Sequence, residues 1–223
     1  MYEKLDNCPL CKGHKFTNHL IVNDHSVSTE SFALMRCDDC SLIFTNPRPD
    51  SENIWRYYQS DQYISHTNST RNLRELLYKL VRIYALRSKL SLIREYHPNP
   101  SLLDYGCGTG HFLQHTLNNK IQVLGIEPTK DTTIPKNSAI YNHTFTDLNS
   151  LPAKQSFDII TAWHVMEHVH NLRDTFKALV KKLNDGGHLI LALPNPSSHD
   201  AIKFQEYWAG YDVPRHLYHF NQT

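Results

Sequence analysis

The sequence predicts an α/β protein: a doubly wound, mainly parallel sheet preceded by a small cysteine-bearing ribbon. Three observations carry that expectation. Strand, glycine turn and helix follow one another in Ser101-Leu102-Leu103-Asp104-Tyr105-Gly106-Cys107-Gly108-Thr109-Gly110-His111. Apolar runs of strand length then alternate with helical stretches, the order that builds a parallel sheet through right-handed crossovers. Two Cys-x-x-Cys pairs come before all of this, Cys8 with Cys11 and Cys37 with Cys40.

A chain of 223 residues suits one substantial α/β domain with a small appendage. Its 40% hydrophobic and 20% charged residues are ordinary for a soluble globular protein. No apolar run approaches the ~20 residues of a membrane helix, and the start lacks the apolar core of a signal peptide. No membrane partner is therefore expected, and the expected compartment is cytoplasmic. A net charge of +1 gives no global attraction to nucleic acid, so binding of that kind needs a local patch.

The cysteine pairs read as two knuckles that bring four thiolates, Cys8, Cys11, Cys37 and Cys40, to one tetrahedral Zn²⁺. Residues 32–36 and 41–44 read as short strands into and out of the second knuckle, as in a zinc ribbon. Such a module has too little core to fold alone, and the metal supplies folding free energy. Two disulfides conflict with the compartment, and a redox pair conflicts with two knuckles occurring together. Four cysteine ligands leave no open coordination position, so a structural zinc is expected rather than a catalytic one.

Asn46-Pro47-Arg48-Pro49-Asp50 closes the ribbon, and a short helix is expected over 51–58. Residues 58–66, polar and aromatic, read either as a lid over a cofactor or as a surface linker. From 71 to 96 the residues Leu73, Leu77, Leu80, Tyr84 and Ile93 recur largely at three and four, which predicts a long amphipathic helix ending before Pro98. Its other face, with Arg71, Arg74, Lys79, Arg82, Arg87, Lys89 and Arg94, reads as solvated, or as a grip on RNA phosphates.

Leu102 and Leu103 suit a buried parallel strand, with Asp104 at the carboxyl end where such sheets place their ligands. The three glycines let the backbone turn sharply and approach a ligand closely. Their spacing is G-x-G-x-G, so His111 stands where a dinucleotide fingerprint has its third glycine, and no Lys-Ser/Thr pair follows as in a P-loop. Residues 121–127 form the second strand. It ends on Glu127, about twenty positions beyond the turn and placed to accept hydrogen bonds from both ribose hydroxyls. Residues 139–141 are the expected third strand and 157–162 the fourth. A helix over 172–183, with Asn184-Asp185-Gly186-Gly187 as its C-cap and turn, leads to a fifth strand over 188–193.

The glycine stretch resembles motif I of class I S-adenosylmethionine (SAM) dependent methyltransferases. Asp158 entering the fourth strand and Glu167-His168-Val169 after it are similar to the same family. The resemblance covers roughly residues 100–220 and implies a Rossmann-like sheet. It implies SAM as cofactor, bound by Asp104, Gly106, Gly108, Gly110 and Glu127. Asp147 would accept from the adenine amino group, the Leu148 N–H would face a ring nitrogen, and Trp163 would join the cofactor wall. No Asp/Asn-Pro-Pro-aromatic sequence ends the fourth strand, so base amines are not expected as acceptors.

His164, Glu167 and His168 are spaced to hold a divalent metal or simply to pack a helix end. The last stretch, 207–220, is dense in aromatic, His and Arg residues on the expected substrate side. His216 is the general-base candidate, because imidazole titrates nearest neutral pH, and Arg215 beside it is the candidate for gripping an anionic substrate. The family's fold usually continues with a helix and an antiparallel pair of strands. This chain is thus expected to look truncated, with its fifth strand an exposed edge that could pair in a homodimer.

The expected organisation is a zinc-ribbon-like module at 1–46, a lid and long helix at 47–97, and a SAM domain at 98–223. The implied function is methyl transfer from SAM to a small polar metabolite such as a sugar. Two alternatives are an RNA methyltransferase docking through the ribbon and basic helix, and a non-catalytic module binding SAM and zinc.

Overall fold

In the computed structural model the described residues are 1–59, 73–152 and 154–221. The lid expected over 58–66 therefore lies outside them beyond Gln59. The described residues gather into two compact units. One draws on Met1–Asn68, His164–Thr175 and Leu193–Thr223, the other on Ser69–Trp163 and Phe176–Ala192. This division differs from 1–46, 47–97 and 98–223, because the chain rejoins the ribbon unit twice after entering the sheet.

In the ribbon unit, β1 (Tyr2–Glu3) pairs antiparallel with β5 (Arg48–Pro49). A second antiparallel sheet contains β2 (Phe16–Asn23), β3 (Ser31–Cys37), β4 (Ile43–Thr45) and β11 (Tyr218–His219), in the order β11-β4-β3-β2. β3 and β4 are the strands predicted at the second knuckle. Phe32, Leu34, Ile43, Tyr57, Tyr211 and Val213 form the core of this unit. The expected helix over 51–58 is a 3-10 turn at Ile54–Tyr58. Arg48 ties the segment after residue 164 to the ribbon: Nη1 donates to Tyr218 Oη at 2.8 Å and Nη2 to the His170 carbonyl at 3.3 Å.

The other unit holds β6 (Ser101–Tyr105), β7 (Gln122–Ile126), β8 (Thr144–Phe145), β9 (Phe157–Trp163) and β10 (Leu183–Ala192). All its pairings are parallel, in the order β10-β9-β6-β7-β8. The chain adds β7 and β8 on one side of β6, then β9 and β10 on the other. With right-handed crossovers that reversal puts the connections on opposite faces and a switch point between β6 and β9. This is the doubly wound sheet the sequence predicts. Among the described residues β10 borders β9 alone and is an edge strand.

Helix α1 (Leu73–Tyr96) packs differently from its predicted face. Leu77, Leu80 and Tyr84 are exposed, while Leu90 and Ile93 are buried with Leu86 packed beside them. A helix of 24 residues reaches roughly 36 Å, about twice the ~17 Å of a five-residue strand such as β6, so only its last turns meet the core. Helix α2 (His111–Asn118) buries Phe112 and Leu113 in the same core, which also holds Leu102, Val123 and Ile159.

Two further boundaries are corrected. After the short α3 (Lys130–Thr133), the expected third strand at 139–141 is replaced by a 3-10 turn at Tyr141–His143, and β8 begins at Thr144. Ile140 is used for packing rather than pairing. Helix α4 (Leu172–Val180) ends before residue 183, and the predicted Asn184-Gly187 cap lies within β10. There the register slips between Leu183, opposite Phe157, and His188, opposite Ile159, with Gly186 at φ 76°. The glycines that suggested a helix stop accommodate a bulge. The last helix, α5 (His199–Phe204), is capped by Ser198 Oγ, which accepts from Ala201 N–H at 3.2 Å. No helix among the described residues is long and apolar enough to cross a membrane.

Candidate functional site

Gly106, Gly108 and Gly110 have φ of 73°, 53° and 74°, the left-handed region that disfavours a Cβ. The N–H groups of Gly106 and Cys107 both donate to the Ile126 carbonyl, at 2.8 and 3.0 Å, which holds the turn against the carboxyl end of β7. The glycines differ in surroundings. A Cβ on Gly110 would fall 2.0 Å from Ile140 Cδ1, whereas one on Gly108 meets no protein atom within 4 Å. Gly110 serves packing, and Gly108 faces open space.

Glu127 stands at that opening. Its Oε2 accepts from Gly108 N–H at 2.9 Å, and its Oε1 accepts from Thr129 N–H at 3.1 Å and Thr129 Oγ1 at 2.6 Å. Asp104 is only 2% exposed and accepts from Thr161 Oγ1 at 2.7 Å. Burial pushes its pKa up to about 7, against the opposing pull of the Thr161 hydrogen bond and the charge of Lys89. Asp104 thus ties the end of β6 to β9. Asp147 follows β8 and is exposed; its Oδ1 accepts the Asn149 and Ser150 N–H groups at 2.8 and 3.0 Å, closing a turn around the half-buried Leu148. The Cys107 thiol is pushed up to about 12, chiefly by burial, and is not a nucleophile at neutral pH.

Trp163 ends β9 and meets Phe112 edge to face, with ring centroids 5.9 Å apart. Its Nε1 is buried with no hydrogen-bond partner among the described residues. Lys89 Nζ lies 4.5 Å from the Trp163 ring centroid and 5.7 Å from that of Phe112. Burial lowers its pKa while Asp104 opposes the shift. Lys89 belongs to the site region although its charge assigned it to the solvated face. The missed signal is its spacing with Leu86, Leu90 and Ile93, which places it on the buried side of α1.

The four cysteine sulfurs lie within 4.8 Å of one another, with Cys8–Cys40 and Cys11–Cys37 Sγ separations of 3.5 Å. The two knuckles repeat one geometry. Lys12 N–H donates to the Cys8 carbonyl and Ser41 N–H to the Cys37 carbonyl, at 3.0 and 2.9 Å, and both residues sit in the left-handed region at φ 71° and 61°. A tetrahedral zinc with bonds of ~2.3 Å sets its sulfurs about 3.8 Å apart, so this donor set fits the ion.

In the ribbon unit the Arg215 side chain is committed to protein partners. It is 3% exposed, with Nε 3.1 Å from each Asp212 carboxylate oxygen, Nη1 donating to the Tyr57 carbonyl at 2.8 Å, and Nη2 3.5 Å from Asp24 Oδ1. These partners occupy the fork that the sequence offered to an anionic substrate, which corrects that expectation. His216 is 8% exposed, and its ring meets that of His168 with centroids 4.7 Å apart. The structure therefore joins the base candidate to Glu167 and His168, which the sequence had grouped with His164. His164 is largely exposed, its Nδ1 3.5 Å from Glu167 Oε1.

The family described as "Methyltransferase domain" matches residues 72–223. Solved structures similar to the chain include a plantazolicin methyltransferase in complex with SAH, at 15% identity over 70% of this chain and 64% of that one, with a TM-score of 0.47. An amino pentose methyltransferase from Micromonospora echinaspora, with SAM bound, shares 23% identity over 56% of this chain and 58% of its own (TM-score 0.41). A sugar N-methyltransferase from Streptoalloteichus shares 21% over 60% and 59% (TM-score 0.40). The chain thus spans less than two thirds of the length of these structures, and no curated protein matches it. With that match spanning more than half of its length, this chain belongs to the methyltransferase-domain family.

Proposed function

We propose that this chain binds SAM at the glycine turn and transfers its methyl group to a small polar metabolite, with hydroxyl-rich, sugar-like intermediates the substrate class. The observation that carries the reading is the open space at Gly108, bordered by the Glu127 carboxylate 2.9 Å from the Gly108 nitrogen. In this reading the ribose hydroxyls take over Glu127, the adenine meets Asp147 and the Leu148 N–H, and Trp163 with Lys89 borders the methionine end.

The chemistry is an in-line displacement. A lone pair on the acceptor forms the new bond to the methyl carbon, the carbon–sulfur bond breaks, and its electron pair stays on sulfur. The protein's tasks are to align the two reactants and to accept the acceptor's proton. The four cysteines hold a structural zinc, and reduced thiols suit a cytoplasmic location.

The test is a calorimetric titration followed by a screen of metabolites with labelled SAM. SAM and SAH should bind, NAD should not, and label should pass to a polar acceptor. Binding of NAD without SAM overturns the reading.

A further inference from the structure

We propose that Glu167, His168 and His216 form a binding site for a divalent first-row transition-metal ion, separate from the four cysteines. The proposal stands on the geometry of the ribbon unit and does not depend on methyl transfer.

Their ligand atoms lie within 4.8 Å of one another, a span that small rotamer changes close onto bonds of roughly 2.1 Å. Glu167 is 0% exposed, and neither carboxylate oxygen has a hydrogen-bond partner among the described residues. The tautomers of both histidines follow from their neighbours. His168 Nδ1 lies 2.9 Å from the Arg215 carbonyl and 3.1 Å from Tyr58 Oη, which can accept from it as well; His216 Nδ1 lies 2.9 Å from the Gly210 carbonyl, with its Nε2 3.8 Å from Asp212 Oδ2. A carbonyl only accepts, so each Nδ1 carries the proton and each Nε2 keeps its lone pair.

Three potential ligand atoms therefore face one another in a largely buried space. A buried carboxyl group with no hydrogen-bond partner is costly unless a cation answers it, and the neighbour on its outer side is the exposed His164, with Nδ1 3.5 Å from Glu167 Oε1. Imidazoles held by a carbonyl on the far nitrogen are also the usual support for metal ligation. The cluster is braced: Leu217 N–H donates to the Glu167 carbonyl at 2.8 Å, and Arg215 anchors the loop next to His216. Two imidazoles and one carboxylate suit Mn²⁺, Fe²⁺, Co²⁺ or Zn²⁺ rather than Mg²⁺ or Ca²⁺, which prefer all-oxygen sets. Three protein ligands leave positions open, unlike the closed cysteine site.

The experiment is a Mn²⁺ titration of the full chain, already loaded with zinc at its cysteines, followed by the electron paramagnetic resonance of free Mn²⁺. Mn²⁺ disfavours thiolates, so the cysteine site does not compete. About one Mn²⁺ per chain should bind, and Glu167→Gln and His216→Ala should each weaken it more than tenfold. Mn²⁺ should raise the melting temperature of the wild type and leave that of Glu167→Gln unmoved. Without Mn²⁺, Glu167→Gln should be no less stable than wild type, because the amide buries no charge. A chain that takes up no Mn²⁺, Co²⁺ or Zn²⁺ beyond its cysteine-bound ion overturns the proposal, as does unchanged uptake in both variants. SAM calorimetry on the same samples keeps the two readings apart, since its outcome rests on the glycine turn alone.

Discussion

The backbone N–H of Gly108 donates to Oε2 of Glu127 across 2.9 Å, so the acid at the end of β7 rests on the glycine turn. A ribose bound there exchanges one neutral donor for two hydroxyls. Hydrogen bonds to a charged group contribute about 1.5–3 kcal/mol, so Glu127→Ala should weaken SAM binding by roughly ten- to a hundredfold. Calorimetry checks this, and unchanged affinity removes the ribose role from Glu127.

Gly108 and Gly110 should separate binding from folding. Gly110→Ala combines a left-handed φ with a 2.0 Å approach to Ile140 Cδ1, and should destabilise the domain by about 1–3 kcal/mol. Gly108→Ala bears only the backbone strain, about 1 kcal/mol, but its methyl enters the open space. It should remain folded in urea titration while losing SAM affinity. Normal SAM binding by Gly108→Ala would place the cofactor elsewhere.

The cysteine cluster should hold about one zinc, and Cys37→Ser should release it and unfold the ribbon. Metal analysis with circular dichroism reads both effects. A folded, zinc-free ribbon in that variant means that the hydrophobic core of Phe32, Leu34 and Ile43 suffices.

Asp158 offers a test by pH. Its Oδ2 accepts from Ser101 N–H and Oγ at 2.8 Å each, and Oδ1 from Asn184 Nδ2 at 2.7 Å, tying the starts of β6, β9 and β10. The Ser101 N–H, followed by Asn184 and the Ser101 hydroxyl, pushes its pKa down to about 2. The folded value lies below the unfolded ~3.9, so the stabilisation is present above about pH 4 and is lost as pH falls through about 2. Asp158→Ala should cost about 1–3 kcal/mol at pH 7, and its stability difference from wild type should shrink below pH 4. Urea midpoints at the two pH values decide it.

Asp104 runs the opposite way. With a folded pKa of about 7 and an unfolded value of ~3.9, the folded state binds more protons between those limits, so its stability falls as pH rises from about 4 to about 7. Asp104→Asn should flatten that fall in the ligand-free protein, measured by melting temperature across the range. A slope equal to wild type would assign the titration to another group.

What the amino-acid sequence determined by itself is the local chemistry. Three glycines in five residues call for left-handed backbone, the acid after β7 lands beside them, and cysteines paired across two intervening residues make matching knuckles. Each depends on conformations set within a few neighbouring residues, so spacing alone reads them. The tertiary structure decided which of those residues meet. It distinguished Gly108 from Gly110 through Ile140, turned Lys89 toward Trp163, and kept Leu77, Leu80 and Tyr84 exposed on a helix longer than its core. It engaged Arg215 with Asp212, and it brought His216 to Glu167 and His168 by returning the chain to the ribbon as β11. No periodicity encodes that return, because it is fixed by burial and hydrogen bonding between segments far apart in the chain.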